Sequence, residues 1–227
     1  MASKQTKAPS STQELLNNCR LLAGLSLAEL AKQTHSALPV SPVHAKGWVG
    51  QQAEKFLGAS AGSKAEPDFP NLGIELKTLP LNANGQPQES TYVCHIQLME
   101  LNQQTWQQAW VNKKLQRVLW LPYEASKNIE YGKRKIGHAI LWQPSPSQAR
   151  QLQQDWEEIM EKLCIGEQQQ LSAHHGQFLQ VRPKAANSKA LTKAYDEQGK
   201  LCQTLPLGFY LRPDFTREIL KNSYLHQ

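Results

Sequence analysis

One ten-residue stretch, DFPNLGIELK from Asp68 to Lys77, constrains the fold of this chain more than any other. The second half of this stretch belongs to a segment, residues 73–79, whose alternating pattern predicts a β-strand. Successive side chains of a strand point to opposite faces, so Glu75 and Lys77 share a face while Leu76 turns into the core. Asp68 lies across a short Pro/Asn/Gly loop and can turn its carboxylate back towards Glu75.

Two acids and a lysine in this order indicate metal-assisted hydrolysis of a phosphodiester. The carboxylates of Asp68 and Glu75, with the carbonyl of Leu76, can hold a hard cation such as Mg²⁺ and leave positions open for water. Lys77 would then lie beside the attacking water. The same spacing also fits a surface turn followed by an amphipathic strand with a solvated Glu/Lys pair, and the motif alone does not decide between the two.

Composition narrows the class of protein. The 227 residues carry a formal net charge of +6, which favours a polyanionic partner. No apolar run approaches the ~20 residues that a membrane helix needs, and the polar N-terminus predicts that a secretory signal is absent. The cysteines are scattered without a C-x-x-C motif, which is typical of reduced thiols in a cytoplasmic protein.

The periodicity of the chain predicts a mixture of helices and strands without regular alternation. Helices are expected from Ser11 to Leu22 and over 26–34, 47–57, 146–164 and 215–225, and strands over 73–79, 91–98, 117–121, 139–142, 178–181 and 207–211. A turn at 83–85 between the first two strands predicts a hairpin. We therefore expect an α/β fold with a mixed sheet, as one domain over 11–227 after a flexible tail over 1–10.

Several charged residues outside the motif are further candidates. Glu54, on the third helix, can support the metal site or be a solvated helix acid. Lys114, before a strand, can contact a phosphate or cap that strand. A basic run that starts with Arg182 and Lys184 suits contacts to DNA phosphates, and arginine is the best single reader of guanine edges. Tyr210 is either a packing residue or part of the same surface.

A series of segments resembles the MutH family of methyl-directed DNA mismatch-repair endonucleases. GSK, DF and LGIELKT, together with RPKAAN and LPLGFYL, are far more specific than the acid–acid–lysine motif. The matching segments run in the family's order across nearly the whole chain: KGWVG (46–50), LGASAGSKAEPDF (57–69), LGIELKTLP (72–80), KLQRVLWLP (114–122), RQLQQDWEEIM (150–160), QVRPKAANSKALT (180–192) and TLPLGFYL (204–211).

The resemblance implies a restriction-endonuclease-like PD-(D/E)xK fold, a mixed sheet flanked by helices with two lobes forming a DNA-binding cleft. It also implies a role for each candidate residue. The roles are metal binding for Asp68, Glu75 and Leu76; catalysis for Lys77, with Glu54 as accessory acid and Lys114 as second lysine; contact with the DNA backbone for Lys46 and Gly47; base reading for Arg182 with Lys184 beside it; and sensing of adenine methylation for Tyr210.

The activity that follows from the resemblance is Mg²⁺-dependent nicking of the unmethylated strand at hemimethylated GATC sites. It implies a monomer activated by MutL after mismatch recognition by MutS. Two alternatives stay open, a GATC-specific type II restriction endonuclease of the same fold and a non-catalytic DNA-binding protein built on a decayed nuclease. Decay would normally remove Asp68, Glu75 or Lys77, and all three are present. Residues 98–112 depart most from the family pattern.

The predicted C-terminal helix, 215–225, allows two interpretations. Its apolar residues Ile219, Leu220 and Tyr224 lie at helical spacing, which most often means packing on the core. Alternatively, the helix helps to couple the chain to MutL through its exposed charges. The basic residues on it are Arg217 and Lys221.

Overall fold

The computed structural model describes residues 7–40, 45, 47–62, 66–171, 175–185 and 187–225. For residues 224 and 225 it describes the backbone only. The chain divides into two compact units. The first unit comprises 1–88, 116–143 and 220–227, and the second comprises 89–115 and 144–219.

Helices and strands are mixed along the described chain. The helices are α1 (Thr12–Leu22), α2 (Leu27–Gln33), α3 (Trp48–Leu57), α4 (Trp110–Leu115), α5 (Pro146–Cys164) and α6 (Pro213–Leu225). The strands are β1 (Glu75–Leu81), β2 (Thr91–His95), β3 (Val118–Glu124), β4 (Ile140–Trp142), β5 (Leu179–Pro183), β6 (Thr192–Tyr195), β7 (Leu201–Thr204) and β8 (Leu207–Leu211).

The first unit is built on a mixed three-stranded sheet in the order β1-β3-β4. Strand β1 runs parallel to β3, with Glu75 opposite Val118, and β3 is antiparallel to β4. Helix α3 packs against β1, and α1 and α2 pack against α3. The core of this unit is formed by apolar side chains that are almost completely buried, among them Leu15, Leu22, Leu30, Leu57, Ile74, Leu76, Leu119 and Leu121.

The second unit contains an antiparallel sheet in the order β2-β8-β5 and a separate hairpin, β6–β7. Helix α5 packs against β5. Its Asp155 is 1% exposed and accepts backbone N–H groups from Gln177, Phe178 and Leu179 at 2.6–2.9 Å. Hydrogen bonds to a charged acceptor stabilise by about 1.5–3 kcal/mol each, so Asp155 fixes the point at which the chain enters β5.

Helix α5 shows why some boundaries were predictable. The side chain of Ser145 accepts the N–H of Gln148, and the side chain of Gln148 accepts the N–H of Ser145. Pro146 occupies the first turn. This capping box satisfies N–H groups that otherwise have no partner in the helix. The predicted bounds, 146–164, agree with the observed helix.

The prediction of an α/β fold with a mixed sheet flanked by helices is confirmed, whereas the predicted hairpin between the first two strands is wrong. Strand β1 pairs with β3, and β2 pairs with β8 in another sheet. After β1 the chain turns at Asn82, but the return is a single bridge between Leu81 and Pro87. Proline has no N–H to continue a ladder, so the chain leaves for the second unit.

Two other expectations concern the ends and the environment of the chain. Residues 1–6 of the predicted flexible tail lie outside the described residues, and Ser10 already bonds the carboxylate of Glu14 on α1. The organisation as one domain with two lobes stays a prediction. Within the described residues, none of the helices combines the length and apolarity required to cross a bilayer.

Candidate active site

The acid–acid–lysine motif lies at the open edge of β1. Glu75 donates its N–H to the carbonyl of Arg117, which precedes β3. In a parallel ladder the next residue points its N–H and C=O the other way, so both groups of Leu76 face away from β3. The N–H of Leu76 donates to Oδ2 of Asp68 at 2.8 Å. The Asp68 carboxylate and the Leu76 carbonyl are therefore directed to the same edge.

Glu75 and Lys77 form an ion pair on one face of β1, as predicted from the strand period. Nζ of Lys77 lies 2.6 Å from Oε1 of Glu75, and the two side chains are 15% and 1% exposed. Burying a charged side chain is costly unless it is paired. The lysine thus faces the carboxylate at a position from which water is almost excluded.

Arg117 anchors the loop between Asp68 and β1, a role that the sequence analysis did not assign. Its Nη1 donates to the carbonyl of Leu72 at 3.0 Å, and its Nη2 lies 3.4 Å from Oγ1 of Thr12. Its backbone carbonyl accepts from Glu75. One residue therefore ties the loop, helix α1 and the first residue of β1 together. An arginine directly before an apolar strand was the available signal.

Glu54, the predicted accessory acid, lies on helix α3. It brings Oε1 to the same side of Gly50 as Oγ1 of Thr78, since a Cβ at Gly50 would lie 4.0 and 3.9 Å from these atoms. Thr78 shares a strand face with Leu76 and not with Lys77, so Glu54 lies beside the helix-covered face of β1.

The remaining candidates are Lys114, Gly47 and Lys46. Lys114 is buried on α4, in the second unit, with Nζ 5.3 Å from the ring centroid of Trp110. Gly47 is the residue that caps the start of α3. Lys46 lies outside the described residues. Catalytic or DNA-contacting roles for these positions stay predictions.

The base-reading candidates come together on one face of the second unit's sheet. Tyr210 on β8 lies opposite Gln180 of β5 and Tyr92 of β2, and its ring is 5.3 Å from that of Tyr92 in an edge-on contact. Nζ of Lys184 lies 4.6 Å from the Tyr92 ring centroid. Arg182 projects from β5 opposite Gly208. We call this face the recognition face, defined by Tyr92, Gln180, Arg182, Lys184 and Tyr210.

Gly208 makes room for the Tyr92 ring on the recognition face. A Cβ at this position would lie 3.0 Å from Cε2 of Tyr92 and 3.1 Å from the carbonyl of Cys94. The absence of a side chain lets the Tyr92 ring lie across the sheet. Burial raises the pKa of the Tyr210 phenol above its usual value, and the nearby Arg182 cation opposes that rise. The phenol is therefore protonated at neutral pH and can donate a hydrogen bond.

Arg182 and Pro183 belong to β5, although the predicted strand ended at Val181. Sequence reasoning also missed Ser90, whose hydroxyl accepts from both Gln180 and Arg182. Position 90 lies far from 180 and 182 in sequence, so no local pattern pointed to it.

The residues at the edge of β1 suit a hard cation. Among the described residues, no cluster of three or more His, Cys, Asp or Glu side chains is arranged to hold a metal. A cation site here would consist of two carboxylates, on Asp68 and Glu75, and the outward-facing carbonyl of Leu76. Carboxylate and carbonyl oxygens are the ligands that Mg²⁺ and similar ions prefer, so the donor set fits the predicted metal.

A mixed α/β fold with Glu75 and Lys77 on an edge strand, and Asp68 bonded to that strand from the preceding loop, defines a restriction-endonuclease-like nuclease. The profile of a family described as "DNA mismatch repair enzyme MutH" matches residues 57–155. The chain is 50% identical over 216 residues to "DNA mismatch repair protein MutH" of Shewanella baltica strain OS155, covering 95% of this chain and 97% of that protein. The protein of the same name from Vibrio cholerae serotype O1 is 47% identical, covering 96% and 98%. The chain belongs to the MutH family.

Family membership confirms the resemblance and the expectation of a DNA endonuclease of mismatch repair. It also disfavours both alternatives, because the curated relatives carry a repair name and the family is described as an enzyme. The matched profile begins at Leu57 and ends at Asp155. It thus includes the acid–acid–lysine motif.

Proposed function

We propose that this endonuclease is Mg²⁺-dependent and nicks the unmethylated strand at hemimethylated GATC sites. The observation that carries the proposal is the arrangement at β1: Asp68 is bonded to Leu76, and Glu75 is paired with Lys77. The recognition face supports a base-reading role, since it combines an exposed arginine with two tyrosines. We further propose that the enzyme acts in the cytoplasm as a monomer, activated by MutL after mismatch recognition by MutS.

In this mechanism Asp68, Glu75 and the Leu76 carbonyl would hold the metal. When bound, Mg²⁺ polarises the scissile phosphate and lowers the pKa of the attacking water. Lys77 orients that water and stabilises the charge that develops on the phosphate in the transition state. Because Glu75 is 1% exposed, the lysine cation acts where solvent screens it little.

The recognition face would select the substrate. Arg182 can donate to O6 and N7 of guanine, and Lys184 can contact phosphate. The protonated Tyr210 phenol would lie near the adenine whose N6 group carries the methyl. Methylation would remove one donor of that amino group and add bulk. Glu54, Lys114, Lys46 and Gly47 would support water positioning and backbone contacts.

A plasmid with one GATC site tests the proposal. With Mg²⁺, the hemimethylated plasmid should be nicked in its unmethylated strand, and EDTA should stop the reaction. MutL with ATP should raise the rate. Double-strand cutting of the unmethylated plasmid in one binding event would favour the restriction-enzyme alternative. Binding without any cutting, under all metal conditions, would favour the non-catalytic alternative.

A further inference from the structure

Ser90 lies immediately before β2 and joins two residues of the recognition face. Its Oγ accepts from Nε2 of Gln180 at 2.7 Å and from Nη1 of Arg182 at 3.1 Å. Both donors come from β5, and only the fold brings them to this serine. Ser90 is itself half-buried.

Gln180 is the buried partner that holds the Ser90 hydroxyl in place. It is 3% exposed and lies opposite Tyr210 in the ladder between β5 and β8. A buried amide N–H must find an acceptor, because leaving it unsatisfied costs the full desolvation of the group. The bond from Gln180 therefore fixes the position of the Ser90 hydroxyl.

Arg182 is the exposed partner of Ser90, and its long side chain can change rotamer. It is exposed and shares a strand face with Gln180, two residues away. A long exposed side chain loses rotamer freedom when it binds a ligand, and this loss weakens binding. A guanidinium has five N–H donors, so one bond to Ser90 leaves several for a base edge.

We infer that Ser90 is a positioning residue for base recognition: anchored by Gln180, its hydroxyl holds the Arg182 guanidinium in an orientation suited to a guanine edge. The inference rests on the proposed reading of GATC by Arg182. It assigns to Ser90 an effect on sequence discrimination, without direct contact with a base.

Three variants test the role of Ser90: Ser90→Ala removes the acceptor, Ser90→Thr keeps it, and Ser147→Ala makes the same change at an exposed position of α5 in the same unit. Affinity for a GATC duplex and for a scrambled duplex is measured at one salt concentration, together with the melting temperature of each variant. Ser90→Ala should lower GATC affinity about three- to ten-fold and leave the scrambled duplex unaffected. Ser90→Thr should restore most of the loss, and Ser147→Ala should match the parent.

Two further variants, Arg182→Ala and the double variant Ser90→Ala/Arg182→Ala, distinguish a failure of the Ser90 inference from a failure of the proposed function. The double variant should discriminate no worse than Arg182→Ala alone, because the serine acts through the arginine. If Arg182→Ala lowers discrimination but Ser90→Ala does not, or if Ser90→Ala weakens both duplexes equally, the inference is overturned and the proposed function stands. If Arg182→Ala leaves discrimination intact, base reading by Arg182 fails, and the inference fails with it.

Discussion

The acid–lysine pair on β1 and the recognition face on β8 and β5 use charge in opposite ways. Glu75 is 1% exposed and its partner Lys77 is 15% exposed, in contact at 2.6 Å. Arg182 is exposed, and Lys184 and Tyr210 are half-buried. Stabilising a transition state favours fixed charges in a water-excluded site, whereas reading DNA requires side chains that reach outwards. The first unit thus carries groups suited to chemistry, and the second carries groups suited to selection.

The largest effect is expected at the buried pair. Glu75→Gln or Lys77→Ala should lower the nicking rate at least about 100-fold while GATC affinity changes little, because affinity comes mainly from backbone and base contacts. Rates come from single-turnover nicking, and affinity from binding without Mg²⁺.

The chain offers a matched control for this prediction. Glu130 and Lys133 also form an acid–lysine pair, at 2.8 Å, but their side chains are 70% and 76% exposed. Glu130→Gln and Lys133→Ala should nick like the parent. Comparable losses at both pairs would mean that general stability or net charge, and not a buried catalytic pair, explains the effect.

The entry to β5 tests whether the recognition face depends on a rigid scaffold. At Gly176, φ is +76° and a Cβ would lie 2.0 Å from the carbonyl oxygen of Leu179. Gly176→Ala should therefore lower the free energy of unfolding by about 1–3 kcal/mol more than a glycine replacement without a clash. GATC binding should fall with it.

Gly199 provides the comparison: its φ is +72°, and among the described residues beyond its chain neighbours no atom lies within 4 Å of a Cβ placed there. Both alanine variants carry the same backbone strain, so denaturant unfolding isolates the clash at Gly176. Equal losses of stability in the two variants would show that the loop before β5 can relax.

The two cations of the recognition face should separate into different roles. Arg182→Ala should cost about 1–3 kcal/mol of discrimination between GATC and a scrambled duplex. Lys184→Ala should weaken both duplexes alike and reduce the salt slope of binding by about 1. Affinities across a range of salt concentrations measure both effects. An Arg182→Ala variant that loses affinity equally for the two duplexes would make this residue a phosphate contact.

Local patterns predicted the elements and the motif well. Glu75 and Lys77 were placed on one face by the strand period alone, and α5 by its helical periodicity, because these features depend on neighbours in sequence. Pairing partners were not predictable in the same way. The choice of β3 and not β2 as the neighbour of β1 depends on burial of whole strands, so the expected hairpin was wrong.

The contacts that orient functional groups were also beyond sequence reasoning. Arg117 reaches Thr12 and Leu72, and Ser90 reaches Arg182, in each case across a long stretch of chain. The hairpin of β6 and β7 was missed as well, since its strands are short and largely exposed. Its polar composition resembles that of a loop.

Tyr210 should affect strand choice more than affinity. Tyr210→Ser removes a large ring that lies against Tyr92. One methyl group in a shaped pocket is typically discriminated by about ten-fold or more, and we expect most of that preference to disappear. Nicking of the methylated and unmethylated strands is measured in parallel, with Tyr210→Phe as the control that keeps the ring. If the serine variant still spares the methylated strand as the parent does, methylation is sensed elsewhere.

The smallest effect is expected on α6. Its Ile219 and Leu220 are 2% and 3% exposed, so these apolar residues pack in the core and leave the exposed Arg217 and Lys221 as candidates for contact with MutL. Single exposed charges contribute little, and Arg217→Ala with Lys221→Ala should reduce stimulation by MutL about two- to five-fold. Arg217 is paired with Asp214 at 2.7 Å, so Asp214→Asn is a control that frees the arginine without removing it.

The basal rate decides how this last result is interpreted. Nicking without MutL should stay at the parent level, because neither charge belongs to the acid–lysine pair or to the recognition face. Only the rate with MutL and ATP should fall, and Asp214→Asn should keep it. If basal and stimulated nicking drop together, α6 serves the fold alone. If stimulation by MutL is unchanged in the variant with Arg217→Ala and Lys221→Ala, the contact with MutL lies on another surface. The exposed charges of α6 would then have no role in recognition, unlike those of the recognition face.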